Sequence, residues 1–112
     1  MNQQLTHSLL LGLAAALILI ATPQAQAADG EAIVKKARCV ACHAVDAKRV
    51  GPAYKEVAAK YKGDSKAPAM LFDKVRHGGS GNWGQVPMIP HPADKISDDD
   101  LKAAMQWILA LD

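Results

Sequence analysis

The sequence has little cysteine. Only two cysteines occur in 112 residues. A structural zinc site needs four ligands at matched spacings, and no second cysteine pair is present to complete one. A redox Cys-x-x-Cys pair would belong in a strand–helix–strand context, but no alternation of apolar and polar residues flanks these cysteines.

The chain also lacks an excess of charge of one sign. Thirteen basic and eleven acidic residues leave a formal net charge of +2. This balance is too mild for a nucleic-acid-binding protein, which carries a basic patch or stripe. No internal repeat or low-complexity segment is present, so the sequence predicts one small domain.

No apolar run is long enough to cross a membrane. Residues 9–20 are almost continuously apolar, but a spanning helix needs roughly 20 such residues. An Ala-Gln-Ala site ending at Ala27 follows, which predicts a secretory signal peptide at 1–27 and a mature domain at 28–112 in the periplasm. The first eight positions hold no Lys or Arg, unlike a usual signal peptide, so a retained anchor is the alternative.

One stretch organises the rest of the chain. It reads Cys39-Val40-Ala41-Cys42-His43. Two cysteines three positions apart, with a histidine directly after the second, are the attachment signature of c-type haem. Each thiol adds to one vinyl group of the haem, and His43 then aims an imidazole nitrogen at the iron. A simple disulfide is the alternative.

Covalent haem also suits a domain of this size. If both cysteines hold haem, none remains for a structural disulfide. Small domains bury a limited share of their surface and usually need an additional source of stability, such as a disulfide or a metal. Haem would supply it, because it is a large apolar plate around which helices can pack.

The apolar pattern predicts four helices. Asp29 is a candidate N-cap for a helix over 30–37, Pro52 is a candidate first residue of a second helix, and Pro68 begins a third. Ser97 caps the fourth, which opens with three aspartates. The predicted buried stripes of the last three helices are Tyr54, Val57, Ala58 and Tyr61; Leu71, Phe72 and Val75; and Leu101, Ala104, Met105, Ile108 and Leu109.

The stretch between the third and fourth helices is rich in glycine and proline. Gly78 and Gly79 end the third helix as a glycine C-cap. The three prolines that follow forbid a helix, and no five-residue alternation indicates a strand. The mature chain is therefore predicted to be all-α.

The second axial ligand of the iron decides the function. The candidates in the mature chain are Met70, Met88, Met105, His77 and His91. Pro87 and Pro90 hold the backbone around Met88 extended and stiff, so this loop can present a thioether to the iron. The other two methionines and His77 lie at helix positions where packing or capping is the ordinary role. His91 is the main rival of Met88, because imidazole binds haem iron well.

Four motifs together resemble a known family. They are Cys39-Val40-Ala41-Cys42-His43, Val50-Gly51-Pro52-Ala53-Tyr54, Trp83-Gly84-Gln85-Val86-Pro87-Met88 and Ser97-Asp98-Asp99. In this order the chain is similar to a small monohaem class I cytochrome c, of the short His/Met type found in denitrifying and ammonia-oxidising bacteria. The resemblance covers nearly all of 28–112. It implies a compact fold of about four helices around one covalent haem c.

The resemblance also implies roles for further residues. The carbonyl of Pro52 would accept a hydrogen bond from His43 and so fix its tautomer. The indole N–H of Trp83 would donate to a haem propionate. A basic side chain at Lys74 or Arg76 would help to neutralise that propionate.

The expected function is electron transfer rather than catalysis. With His43 and Met88 both on the iron, no position is left for a substrate. A peroxidase would need the Met88 position vacated, and a gas sensor would usually carry its haem motif near the C-terminus. A subunit of a larger redox complex stays open as an alternative.

The expected partners are periplasmic redox proteins. Membrane cytochrome complexes, terminal oxidases and nitrogen-oxide reductases are the classes implied, with the carrier a monomer that binds no nucleic acid and does not insert into a membrane. Basic residues near the haem motif could steer an acidic partner. They are Lys35, Lys36, Arg38, Lys48 and Arg49. Solvated helix faces or an apolar rim around the haem edge are the alternatives.

Overall fold

The computed structural model describes residues 16–19 and 23–112, with side chains at 16–19 and 29–112. Much of the predicted signal peptide, at 1–15 and 20–22, lies outside the described residues. The described residues form α1 (Pro23–Lys36), α2 (Tyr54–Lys60), α3 (Ala67–His77) and α4 (Asp98–Leu109). A 3-10 turn (Cys39–Ala41) follows α1, and strands β1 (Gly79–Gly81) and β2 (Gly84–Met88) precede α4. Within this part of the chain, no helix has the length and apolar character needed to cross a membrane.

Helices and the loop before α4 build the core, which confirms the all-α prediction. Val34 and Leu101 are the largest fully buried side chains, each 1% exposed. The buried cluster consists of Val34, Tyr54, Val57, Ile96, Leu101, Ala104, Met105 and Ile108. Helix α3 contributes partly buried side chains, which are Leu71, Phe72 and Val75.

Helices α1 and α4 cross at a buried glycine. A Cβ atom on Gly30 would overlap Trp107 Cβ and lie 2.7 Å from Trp107 Cγ, so only glycine permits this approach. A glycine inside a helix costs about 1 kcal/mol relative to alanine. The close packing of the two helices offsets that cost.

Helix α1 begins earlier than the sequence predicted. It starts at Pro23, which places Asp29 inside the helix and not at its N-cap. The residues at 24–28 are alanine and glutamine, which are good helix formers and extend the helix past the expected cap.

Helix α2 begins later than predicted. Pro52 lies before the N-cap residue, Ala53, whose backbone is extended at φ −61° and ψ 143°. The Glu56 carboxylate accepts a hydrogen bond from the Ala53 amide at 3.3 Å. This side chain therefore stabilises a helix start at Tyr54, two residues after the position that a proline at N1 would predict.

Two short strands that were not predicted from the sequence follow α3. The prediction that α3 ends on a glycine is confirmed, since Gly78 has φ 69°. Strands β1 and β2 then pair antiparallel, with Gly79 opposite Met88 and Gly81 opposite Gly84. Residues of both strands are exposed except for the half-buried Met88, so backbone hydrogen bonds without a buried face hold the hairpin.

Helix α4 follows the prediction closely. Ser97 caps it, because its hydroxyl oxygen accepts a hydrogen bond from the Asp100 amide at 3.2 Å. The buried stripe is Leu101, Ala104, Met105 and Ile108, with Leu109 half-buried.

Candidate haem-attachment site

The 3-10 turn holds both thiols and the adjacent histidine in one compact loop. Arg38 enters the turn at φ 63°, in the left-handed region, which redirects the chain at the end of α1. The amides of Cys42 and His43 both donate to the Cys39 carbonyl, at 3.1 and 3.0 Å. Both thiols are free, with Cys39 half-buried and Cys42 exposed. The turn therefore offers two separate thiols and no disulfide.

A carbonyl oxygen sets the protonation of His43. Its Nδ1 atom lies 2.8 Å from the Pro52 carbonyl oxygen. Because a carbonyl can only accept a hydrogen bond, Nδ1 carries the proton, and Nε2 keeps the lone pair with which imidazole binds a metal. A Cβ atom on Gly51 would overlap His43 Cε1 and lie 2.8 Å from Nδ1. Glycine at 51 therefore allows the backbone to pass directly against the ring.

Tyr54 covers the imidazole and reaches into the core. Its ring stacks on His43 with centroids 5.2 Å apart and planes 15° apart, and it meets Trp107 edge-on at 5.8 Å. Burial raises the pKa of the Cys39 thiol above its ordinary value, although a hydrogen bond with Tyr54 opposes this. Burial, together with the nearby Cys39, also raises the pKa of Tyr54. Both groups are therefore neutral at pH 7.

The loop after the turn folds back onto it. The Gly51 amide donates to the Cys42 carbonyl at 2.8 Å, and the Tyr54 amide donates to Ala44 at 2.9 Å. The Arg49 guanidinium donates to the Val40 carbonyl at 3.0 Å. From the sequence, Arg49 was expected to be only a surface charge, and this contact was not predicted. No local signal indicates it, because the two residues meet only when the loop returns.

Met88 and Trp83 lie on the hairpin. Met88 ends β2 opposite Gly79, and Trp83 lies between the two strands. The Lys60 ammonium lies 4.4 Å from the Trp83 ring centroid and donates to the Asn82 carbonyl at 3.1 Å. This cation–π contact fixes the Trp83 ring against the end of α2. No local sequence pattern indicates this role for Lys60.

The predicted site residues thus fall into two groups. Cys39, Cys42, His43 and Pro52 are held together by the turn and its returning loop. Met88 lies on the hairpin, and no hydrogen bond among the described residues joins the hairpin to the turn.

The other candidates for the second ligand have structural surroundings of their own. Met105 is buried in the core, and Met70 is an exposed residue of α3. His77 Nδ1 lies 3.0 Å from the Asp73 carbonyl, a contact within α3. His91 is held through its backbone, and its buried Nδ1 has no hydrogen-bond partner among the described residues.

Arg76 is bound to protein groups. Its guanidinium donates to the carbonyls of His91 at 2.9 Å and Ile96 at 2.8 Å, and it pairs with the Asp98 carboxylate. Lys74 is half-buried at the same helix end. The three groups that bind Arg76 do not bind Lys74. Of the two basic residues expected near a propionate, Arg76 is thus held by protein groups and Lys74 is not held by them.

These residues fit a covalently attached haem. Cys39 and Cys42 offer two free thiols at the spacing that the two vinyl groups require, and His43 presents Nε2 as an electron-pair donor. The turn with its returning loop and the hairpin region both expose apolar side chains, which suit contact with a large apolar ring. They are Val40, Val50, Trp83, Val86 and Ile89.

Comparison with known proteins agrees with this geometry. The family model described as Cytochrome c matches residues 27–112. Cytochrome c-552 of Nitrosomonas europaea is 46% identical over 101 residues, which cover 90% of this chain and 94% of the relative. Cytochrome c-551 of Pseudomonas aeruginosa is 45% identical over 86 residues, which cover 77% and 80%.

The fold agrees as well. The crystal structure of wild-type Nitrosomonas europaea cytochrome c552 superposes with a TM-score of 0.66 at 45% identity, covering 73% of this chain and 99% of that one. The chain thus shares its fold with that protein over most of its length. The chain belongs to the cytochrome c family: it is a haem-containing electron-transfer protein, not an enzyme, and its Cys39 and Cys42 fit the motif that attaches haem c.

Proposed function

We propose that the protein is a periplasmic one-electron carrier whose haem iron is ligated by His43 and Met88. The observation that carries the proposal is the 2.8 Å hydrogen bond between His43 Nδ1 and the Pro52 carbonyl. It supports a histidine whose Nε2 is permanently available to iron, on the same turn as the two thiols. A bound haem supplies one-electron redox chemistry at its iron.

Met88 is the proposed second ligand. Its half-buried position at the end of β2, with Pro87 before it and Pro90 after it, supports a thioether held in one place. A soft sulfur ligand raises the potential of haem iron. Two protein ligands leave no coordination position for a substrate, which suits a carrier.

Residues 1–27 are the proposed signal peptide, removed after Ala27. The family model begins to match at residue 27, which supports a boundary there. The proposed partners are periplasmic redox proteins, among them membrane cytochrome complexes, terminal oxidases and nitrogen-oxide reductases. The proposed carrier is a monomer. A denatured mass equal to the chain from Ala28 plus one haem would support both the cleavage and the covalent link.

Substitution of Met88 tests the ligation. Met88→Ala should abolish the long-wavelength sulfur-to-iron absorption band of the oxidised protein. It should also lower the potential by on the order of 0.1 V or more, since axial ligands move haem potentials over ~0.8 V. Met70→Ala, which removes an exposed thioether of α3, is the matched control and should leave both unchanged. If the spectrum is unaltered in Met88→Ala but altered in His91→Ala, the second iron ligand is His91 and not Met88.

A further inference from the structure

The backbone that follows Met88 lies across the end of α3. We call residues 88–91 the ligand segment. A Cβ atom on Gly78, the residue that ends α3, would overlap the Met88 carbonyl oxygen and lie 2.9 Å from the Pro90 nitrogen. The missing side chain at 78 therefore lets the ligand segment rest directly on the helix end.

The last residue of the ligand segment is bound at both of its backbone polar groups. The His91 amide donates to the Val75 carbonyl at 2.9 Å. The His91 carbonyl accepts from the Arg76 guanidinium at 2.9 Å. Both partners belong to the last turns of α3, so the same helix end holds the segment at its beginning and its end.

Arg76 connects this segment to the start of α4. The same guanidinium donates to the Ile96 carbonyl at 2.8 Å and pairs with Asp98, the first residue of α4. Its side chain is only 11% exposed, so water competes weakly for these donors. A planar guanidinium can serve three acceptors in fixed directions, whereas a lysine ammonium cannot reproduce the fork.

We propose that Arg76 is a positioning residue for the Met88 thioether, and that it sets the strength of the iron–sulfur bond; this rests on the proposed ligation by Met88. The physical reason is that the ligand segment is stiff. Pro90 fixes its own φ and keeps Ile89 extended, so the ligand segment has little freedom to absorb a movement. Release of His91 from α3 is therefore transmitted to Met88.

Competition with imidazole for the iron of the oxidised holoprotein tests the proposal. Imidazole must displace the native sixth ligand, so a weaker iron–sulfur bond appears as tighter imidazole binding. Arg76→Gln should bind imidazole about tenfold more tightly than wild type, which corresponds to ~1.4 kcal/mol. Arg76→Lys keeps the positive charge but loses the planar arrangement of donors. Its imidazole affinity should therefore lie between those of wild type and Arg76→Gln. Lys102→Gln, which removes an exposed charge from α4, should match wild type.

Titrations are made well below the unfolding temperature of each variant, so that global destabilisation does not enter. Hydrogen exchange of the His91 amide reports separately whether the segment has been released. A released amide in Arg76→Gln with wild-type imidazole affinity would overturn the positioning role. Should Arg76→Gln fail to fold, Asp98→Asn replaces it: a smaller gain of imidazole affinity supports the proposal, and no gain overturns it.

Met88→Ala separates this proposal from the one on which it rests. If Met88→Ala binds imidazole no better than wild type, Met88 is not the ligand, and the proposed ligation fails with the positioning role. If Met88→Ala binds imidazole more tightly while Arg76→Gln does not, the ligation stands and the positioning role alone fails.

Discussion

Individual residues around His43 leave it very little freedom. The Pro52 carbonyl fixes the proton on Nδ1, the Gly51 backbone lies against one side of the ring, and Tyr54 stacks on it. The imidazole therefore needs no reorganisation to present Nε2. As the proposed iron ligand, His43 would have little to rearrange when the iron changes its charge, which would favour rapid electron transfer.

Gly51→Ala should disturb this arrangement. The added methyl would overlap His43 Cε1, so the ring must turn and lose its bond to Pro52. We expect the free energy of unfolding to fall by about 1–3 kcal/mol, as in overpacked sites, with an altered absorption spectrum of the oxidised haem. Gly63→Ala is the control. Gly63 has φ 76° but no neighbour within 4 Å, so this variant should lose stability by backbone strain and keep the wild-type spectrum.

Tyr54 should make stability depend on pH in the alkaline range. Burial raises its pKa above the ordinary value of 10.0. The unfolded chain therefore releases this proton at lower pH than the folded protein, and stability is lost as the pH rises above about 10. Tyr54→Phe should remove this part of the fall in unfolding free energy between about pH 9 and 11, measured with denaturant. Tyr61→Phe should retain it, and an identical fall in both variants would contradict the role of Tyr54.

The residues that could be predicted are those with a local signature. Cys39, Cys42 and His43 follow from their spacing within one turn. The contact between Arg49 and Val40, and the roles of Gly51 and Lys60, could not be predicted, because they depend on how distant segments return to the site.

At the scale of elements, α4 has a local sequence signature and could be predicted, whereas the hairpin has none and could not. Helix α4 carries a cap, an acidic first turn and a regular apolar stripe, all within twelve residues. The strands at 79–81 and 84–88 have exposed residues on both faces, so no alternation marks them, and their pairing rests on backbone hydrogen bonds. Helix α1 was placed correctly, but its start was wrong, because alanine and glutamine extend it beyond Asp29.

The cap of α4 can be tested by itself. Ser97→Ala removes the acceptor of the Asp100 amide and should lower the free energy of unfolding by about 1 kcal/mol. Denaturant titration of the holoprotein measures the loss. Ser80→Ala, in the exposed strand β1, should cost much less. Equal losses in both variants would show that the hydroxyl of Ser97 is not the cause.

At the scale of the whole molecule, the basic residues near the haem motif are unevenly available. Lys35 pairs with Glu31 at 2.7 Å, and the Arg49 guanidinium is bound to Val40. Lys36, Arg38 and Lys48 are exposed. These three therefore form the part of the predicted docking patch that remains best placed to meet an acidic partner.

Lys48→Glu should slow electron transfer to an acidic redox partner at low salt. For wild type, we expect the second-order rate constant to fall as salt increases from about 10 mM to 0.5 M, where the screening length shrinks from roughly 30 Å to under 10 Å. The variant should show a flatter profile, because steering by the patch is reduced. Lys102→Glu on α4 is the control for net charge. A flat wild-type profile would favour docking through exposed apolar side chains such as Val50 and Val86.

The contact between Gly30 and Trp107 has a consequence for the order of the chain. It holds Gly30 of α1 directly against Trp107 of α4, so a short linker could join residue 112 to residue 29. New ends could then be opened at the exposed turn 63–65, since domains with adjacent termini tolerate circular permutation. In such a permutant the haem motif would emerge from the ribosome after α3 and α4 instead of before them. A permutant that folds and holds haem would show that the fold depends on the meeting of α1 and α4 and not on which of them is synthesised first.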